Sequence, residues 1–178
     1  MRIIEKTLII MLIAGMVLKI FAIPGSSVLI TISILSLSVL YFLFGFAIFT
    51  KVPIKGIFKK ISYSHLKPAD IITSIFCGNA LSTLIVGILF QLNYWLGASP
   101  MTFAGMATTL PIIITAIIFL FLLKNRYVYQ EILVRTIPFF LLALFLHLTP
   151  VSTRLKIFKV YDKNIEAQIL EDSKQQNQ

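Results

Sequence analysis

Apolar runs and short polar breaks alternate along nearly the whole chain. The runs cover residues 7–23, 28–50, 71–95, 101–123 and 132–149. A membrane-crossing helix needs about 20 mostly apolar residues, because the hydrocarbon core is about 30 Å thick. The second run is the cleanest and carries no charge. The fifth is the weakest, since Arg135 and Pro138 interrupt it. The pattern predicts an all-α transmembrane fold of five helices: two tandem helical hairpins plus one helix and an amphipathic tail. Residues 1–50 form the first hairpin, 51–70 a basic cytoplasmic linker and 71–123 the second hairpin. Residues 124–150 hold the fifth membrane segment, and 151–178 form a polar tail that leaves the membrane.

The break within the first hairpin reads VLKIFAIPGSSVLIT. Pro24 cannot extend a helical hydrogen-bond ladder, and Gly25 tolerates dihedrals that other residues avoid. Ser26 or Ser27 is placed to cap the next helix by accepting from its free N–H groups. Lys19 sits about one turn below the membrane surface. Its ammonium either snorkels to the headgroups or the turn's carbonyls, or pairs with a group inside the bundle. The stretch also recurs: LIAGMVLKIFAIPGSS aligns without gaps on LIVGILFQLNYWLGAS, 72 residues later. Gly15 falls on Gly87, Gly25 on Gly97, and Lys19 on Gln91. Two hairpins of equal orientation would form a parallel repeat. Gly15 and Gly87 are then candidate helix-packing positions, because small residues let helices approach closely.

Composition supports the membrane reading. Of 178 residues, 58% are hydrophobic and only 13% charged, against roughly a quarter charged in soluble domains. The net charge of +9 would raise nucleic acid as a partner in a soluble protein. Here the cations cluster between apolar runs, as in membrane proteins, so no nucleic-acid partner is expected. Arg2 and Lys6 precede the first helix. Lys51, Lys55, Lys59, Lys60 and Lys67 fill one linker, and Lys124, Arg126 and Arg135 the other. The positive-inside rule then puts the N-terminus in the cytoplasm and the tight turns outside. Five spans would leave the tail outside, although Arg154, Lys156, Lys159 and Lys163 argue the other way. Crossing of the fifth segment is preferred to a dip and return. The start of the chain has a basic end and an apolar stretch but no small-x-small cleavage site, so it reads as a retained helix. In the tail, Phe158, Tyr161, Ile165 and Ile169 recur at helical spacing, a face suited to a membrane surface or a partner.

The search for chemistry yields little. Cys77 lies alone in an apolar run, which reads as a small buried hydrophobe. His65 and His147 are far apart and have no neighbouring metal-ligand pattern. GxSxG, P-loop and HExxH motifs are absent from the sequence. Four of the seven acids lie in the tail, and Asp70 and Glu131 lie at helix ends, so no ionisable group is expected within the clean spans. Asn79, Gln91 and Asn93 are the polar residues of the third helix, suited to joining helices or, with Lys19, to lining a polar path. Tyr94 and Trp95 read as interfacial anchors beside the second turn. No catalytic residue, cofactor or metal is expected.

The stretch LKIFAIPGSSVLITISILSLSVLYF resembles the transmembrane hairpin of the GldL-type L subunit of the gliding-motility and type IX secretion motor. The likeness covers roughly residues 12–42 and, more faintly, 84–110. It extends to small membrane proteins of the same bacteria that carry the hairpin twice and then a basic tail. The motor family carries a glutamate in its second helix, which the resemblance would place at Leu37. This chain reads SILSLSVL there, and Thr109 at the equivalent of the second hairpin. The resemblance therefore implies a shared hairpin without motor activity. Two functions are expected from these readings, both in the bacterial inner membrane. The first is a non-catalytic structural or accessory subunit, contacting lipid and either another membrane protein or its own copies. The second is a small transporter or channel with a polar path between the hairpins.

Overall fold

The structure, a computed structural model, describes residues 2–52, 66, 68–122 and 126–158. These residues form six helices: α1 (Arg2–Ile20), α2 (Ser26–Phe49), α3 (Pro68–Asn93), α4 (Ala98–Leu122), α5 (Arg126–Leu148) and α6 (Val151–Ile157). The expected count of five is corrected by α6, the short first part of the tail. Rather than leaving the bundle, α6 turns back onto it, burying Arg154, Leu155 and Phe158. The rest of the tail pattern and His65 lie outside the described residues. All five long helices begin ahead of their apolar runs, α1 and α5 by the most. α1 starts at Arg2 and takes in Glu5, and α5 starts at Arg126 and is one unbroken helix through Pro138.

Four helices are long and apolar enough to cross a membrane: α2, α3, α4 and residues Tyr127–Leu148 of α5. The chain is a multi-pass membrane protein. α1, of 19 residues, is also long but carries Arg2, Glu5, Lys6 and Lys19. The distribution of side chains fits a lipid solvent. Ser33, Ser74, Thr102, Thr109 and Thr136 are fully buried, while Ile10, Val39, Phe103, Ile114 and Phe121 face outward. In water this arrangement would place apolar surface where it is costly. In hydrocarbon it places hydroxyls where they can find partners. Ser38 and Ser82 meet at 2.8 Å between α2 and α3. The Thr109 hydroxyl donates to the Ala80 carbonyl at 3.4 Å, joining α4 to α3.

α3 is the centre of the bundle. It packs between α2 and α4, α5 lies against both α3 and α4, and α1 packs on α2. Backbones approach at glycines. A Cβ on Gly78 would sit 2.7 Å from the Tyr41 carbonyl oxygen and 3.1 Å from the Gly45 Cα. The α1–α2 crossing places Gly15 against Ile30, and the α3–α4 crossing places Gly87 against Thr102. These contacts fall at the same positions of the two hairpins.

The two turns match in detail. Ala22 and Gly25 have positive φ in the first, Tyr94 and Gly97 in the second. The Ile23 N–H donates to the Leu18 carbonyl, as the Trp95 N–H does to that of Phe90. Leu29 donates to Gly25, and Met101 to Gly97. Pro24 lies between the two left-handed residues of the first turn and has no counterpart proline in the second. The residue capping α2 is Gly25, and no side chain caps that helix. The serine cap expected at Ser26 or Ser27 is thus replaced by backbone geometry, with Ser26 already inside the helix.

The α2–α3 seam predicts that Gly78→Val destabilises the protein by about 1–3 kcal/mol, because the added atoms meet main chain that cannot step aside. Reversible unfolding in mixed detergent micelles measures this. An unchanged midpoint would mean that the helices do not approach so closely.

Candidate functional site

Polar side chains gather at opposite ends of the bundle. At the turn end, the last carbonyls of α3 have no partner within their own helix. The Lys19 ammonium, from α1, donates to the Leu92 carbonyl. The Arg154 guanidinium, from α6, donates to both the carbonyl and the side-chain oxygen of Gln91. Cations are favourable at a helix C-terminus, where the macrodipole is negative. Both also lie over aromatic rings: Lys19 is 5.4 Å from the centre of Tyr94 and 5.6 Å from that of Phe158, and Arg154 is 5.7 Å from Tyr94. Lys19 and Arg154 are 8% and 7% exposed. No carboxylate is bonded to either among the described residues.

At the linker end, carboxylates and cations meet directly among the described residues. Glu5 is 4% exposed, and its Oε1 accepts from the Tyr41 hydroxyl at 2.6 Å and from the Arg135 Nε at 2.6 Å. Arg135 also pairs with Glu131, one turn back on α5. Glu131 in turn meets Lys51 at 2.8 Å. Tyr41 stacks on Phe49, whose ring also lies beneath the Arg135 guanidinium. Beside this network the Tyr129 hydroxyl donates to Asp70 at 3.0 Å. By helical rise, Tyr41 lies about 22 Å along the roughly 36 Å of α2, toward its linker end.

The structure brings some of the expected residues together and separates others. Lys19 and Gln91 share the turn-end cluster. Asn93 lies beside it, its amide donating to the Thr31 hydroxyl at 3.0 Å, between α3 and α2. Asn79 stands apart: its side chain is exposed on the outside of α3, near the helix midpoint. These four residues do not line one path. Leu37, where the resemblance would place a motor glutamate, is fully buried among apolar side chains. Arg135 lies within the fifth run, where the sequence already placed it, and its buried partner is Glu5, on α1 ahead of the first run. The hydropathy pattern began the first span after Glu5, and so missed it. The signal available for α5 was the i,i+4 spacing of Glu131 and Arg135. Arg154 and Tyr41 carried no comparable signal. Cys77 is buried, its sulfur 3.6 Å from the Thr136 hydroxyl. Among the described residues no cluster of His, Cys, Asp and Glu is placed to hold a metal ion.

Comparison with protein-family models, curated proteins and solved structures gave no match.

The linker-end network predicts that Arg135→Met destabilises the protein by about 3–5 kcal/mol, because it leaves Glu5 buried without its cation. Adding Glu5→Gln should restore much of the loss. A double-mutant cycle read by unfolding in mixed micelles measures the coupling, and strictly additive effects would show that the pair does not interact.

Proposed function

We propose that this chain is a non-catalytic accessory subunit of a membrane-protein complex, resident in a bacterial inner membrane with its N-terminus in the cytoplasm. Asn79 carries the reading. It lies about 16 Å from one end of α3 and about 21 Å from the other, at the depth where lipid offers only hydrocarbon. Its side chain is exposed and has no hydrogen-bond partner among the described residues. An amide there is costly unless a helix of another chain supplies a partner. The surrounding face of α3, with Ile72, Ile75 and Phe76 also exposed, is apolar, as the packing surface for such a helix would be. The orientation rests on the basic linkers. The hairpin resemblance supports a shared architecture with the secretion-motor subunit, and the leucine at position 37 argues against shared motor activity.

The test is extraction of native membranes into polymer-bounded nanodiscs, capture on a tag placed within residues 51–70, and native mass spectrometry. The expected result is a fixed-ratio complex with a second membrane protein. Asn79→Leu should weaken that complex about tenfold, the equivalent of one interhelical hydrogen bond of about 1.4 kcal/mol. Recovery of the chain alone, or only with its own copies, overturns the accessory reading.

A further inference from the structure

The two ends of the bundle differ in one respect that packing does not explain. Among the described residues, the linker-end network sets the carboxylates of Glu5 and Glu131 against the cations of Arg135 and Lys51. The turn-end cluster buries two cations and holds no carboxylate among the described residues. The α3 carbonyls supply partial negative charge, equivalent to roughly half an elementary charge at a helix end. That falls short of two full positive charges.

Hydrogen bonding shows the same deficit. Arg154 is more than nine-tenths buried, yet its Nε has no acceptor. The Tyr94 hydroxyl, beside it, is also buried and without a partner. Lys19 has three N–H donors and uses one of them on Leu92. Burial pushes the Arg154 guanidinium below its ordinary pKa, a cost to the charged form that a neighbouring anion would remove. These groups come from three elements, α1, the α3–α4 turn and α6, and gather around the Tyr94 ring.

We propose that Lys19, Arg154 and the Tyr94 hydroxyl form an oxyanion site that takes the phosphate of an anionic lipid headgroup. The depth suits it, because the cluster lies beside the hairpin turns, where headgroup phosphates meet the hydrocarbon edge. The chemistry suits it as well. A guanidinium and an ammonium together offer the forked and point-charge donors that phosphate oxygens accept. A zwitterionic headgroup fits less well, because its own ammonium would face two cations. The site reaches beyond the accessory role above and does not depend on it. A bound lipid would also link α1, α3 and α6 at the point where the two hairpins meet.

The test uses the full chain, purified and stripped of lipid in a neutral detergent. Short-chain phosphatidylglycerol is titrated against the same chain length of phosphatidylcholine. Bound lipid is counted by native mass spectrometry, and thermal stability is followed in parallel. Phosphatidylglycerol should bind at least tenfold more tightly and raise the melting temperature. Arg154→Gln should abolish that preference, whereas Lys156→Gln, which removes the same charge from an exposed position on α6, should leave it intact. Should Arg154→Gln fail to fold, Tyr94→Phe deletes only the hydroxyl and should weaken binding about fivefold, the loss of one hydrogen bond. Equal binding of the two lipids, or equal losses in the Arg154 and Lys156 variants, overturns the proposal. A full response to inorganic phosphate alone overturns the lipid assignment. A variant with Asp162, Glu166, Glu171 and Asp172 changed to amides is the remaining arm. If it binds phosphatidylglycerol and the unmodified chain does not, the chain's own carboxylates fill the site and the proposal falls.

Discussion

Hydrocarbon offers no hydrogen bonds, and this constraint organises the molecule. A polar group carried into the bilayer must find its partner within the protein or in a neighbouring chain. The helices satisfy their own backbones, so what remains is the side chains and the helix ends. Ser33 and Ser74 close the problem locally, each donating to a carbonyl one turn back in its own helix. Ser38, Ser82 and Thr109 close it across helix seams. Lys19 and Arg154 close it at the most exposed weakness of the central helix, the free carbonyls at the end of α3. That the central helix is capped from α1 and α6 ties the first and last described elements of the chain to its middle.

The glycines make those cross-helix bonds reachable. Lipid tails are as apolar as leucine, so helix association in a membrane rests on close packing and polar contacts rather than on removal of surface from water. Gly45 and Gly78 bring the α2 and α3 backbones together near the level of Tyr41. The hydroxyl of Tyr41 then reaches Glu5 on α1, and Glu5 reaches Arg135 on α5. A seam between two helices thereby positions an ionic contact between two others. The same logic operates in duplicate at the turn end. Gly15 against Ile30 and Gly87 against Thr102 set equivalent crossings, and the two turns repeat each other's positive φ values and backbone bonds. Lys19 in the first hairpin and its counterpart Gln91 in the second become neighbours once the hairpins pack. Lys19 bonds the residue after Gln91, and Arg154 bonds Gln91 itself.

Much of the fold was legible in the chain because hydropathy and length are one-dimensional quantities. Apolar runs interrupted by Pro24–Gly25 and by Gly97 located the long helices and both turns. The match between LIAGMVLKIFAIPGSS and LIVGILFQLNYWLGAS placed Gly15 and Gly87 at corresponding positions before their contacts were known. Charge was harder. Glu5 precedes the first apolar run, and hydropathy averages cannot tell a charge that leaves the bilayer from one that is buried against Arg135. Arg154 read as part of a solvated tail, because nothing in its neighbours marks the reversal of direction at Pro150.

The sequence by itself determined that the protein is helical, that it belongs in a membrane, and where the chain reverses at the two tight turns, because those follow from local composition and from the dihedral limits of single residues. The tertiary structure alone decided which polar groups are partnered. Contacts such as Glu5 with Arg135, or Arg154 with Gln91, join residues far apart in the chain, and their existence depends on the crossing geometry of helices rather than on any local pattern. It is also the packing that leaves Asn79 outside the bundle and the Arg154 Nε inside it without an acceptor, two polar groups whose surroundings no spacing along the chain distinguishes.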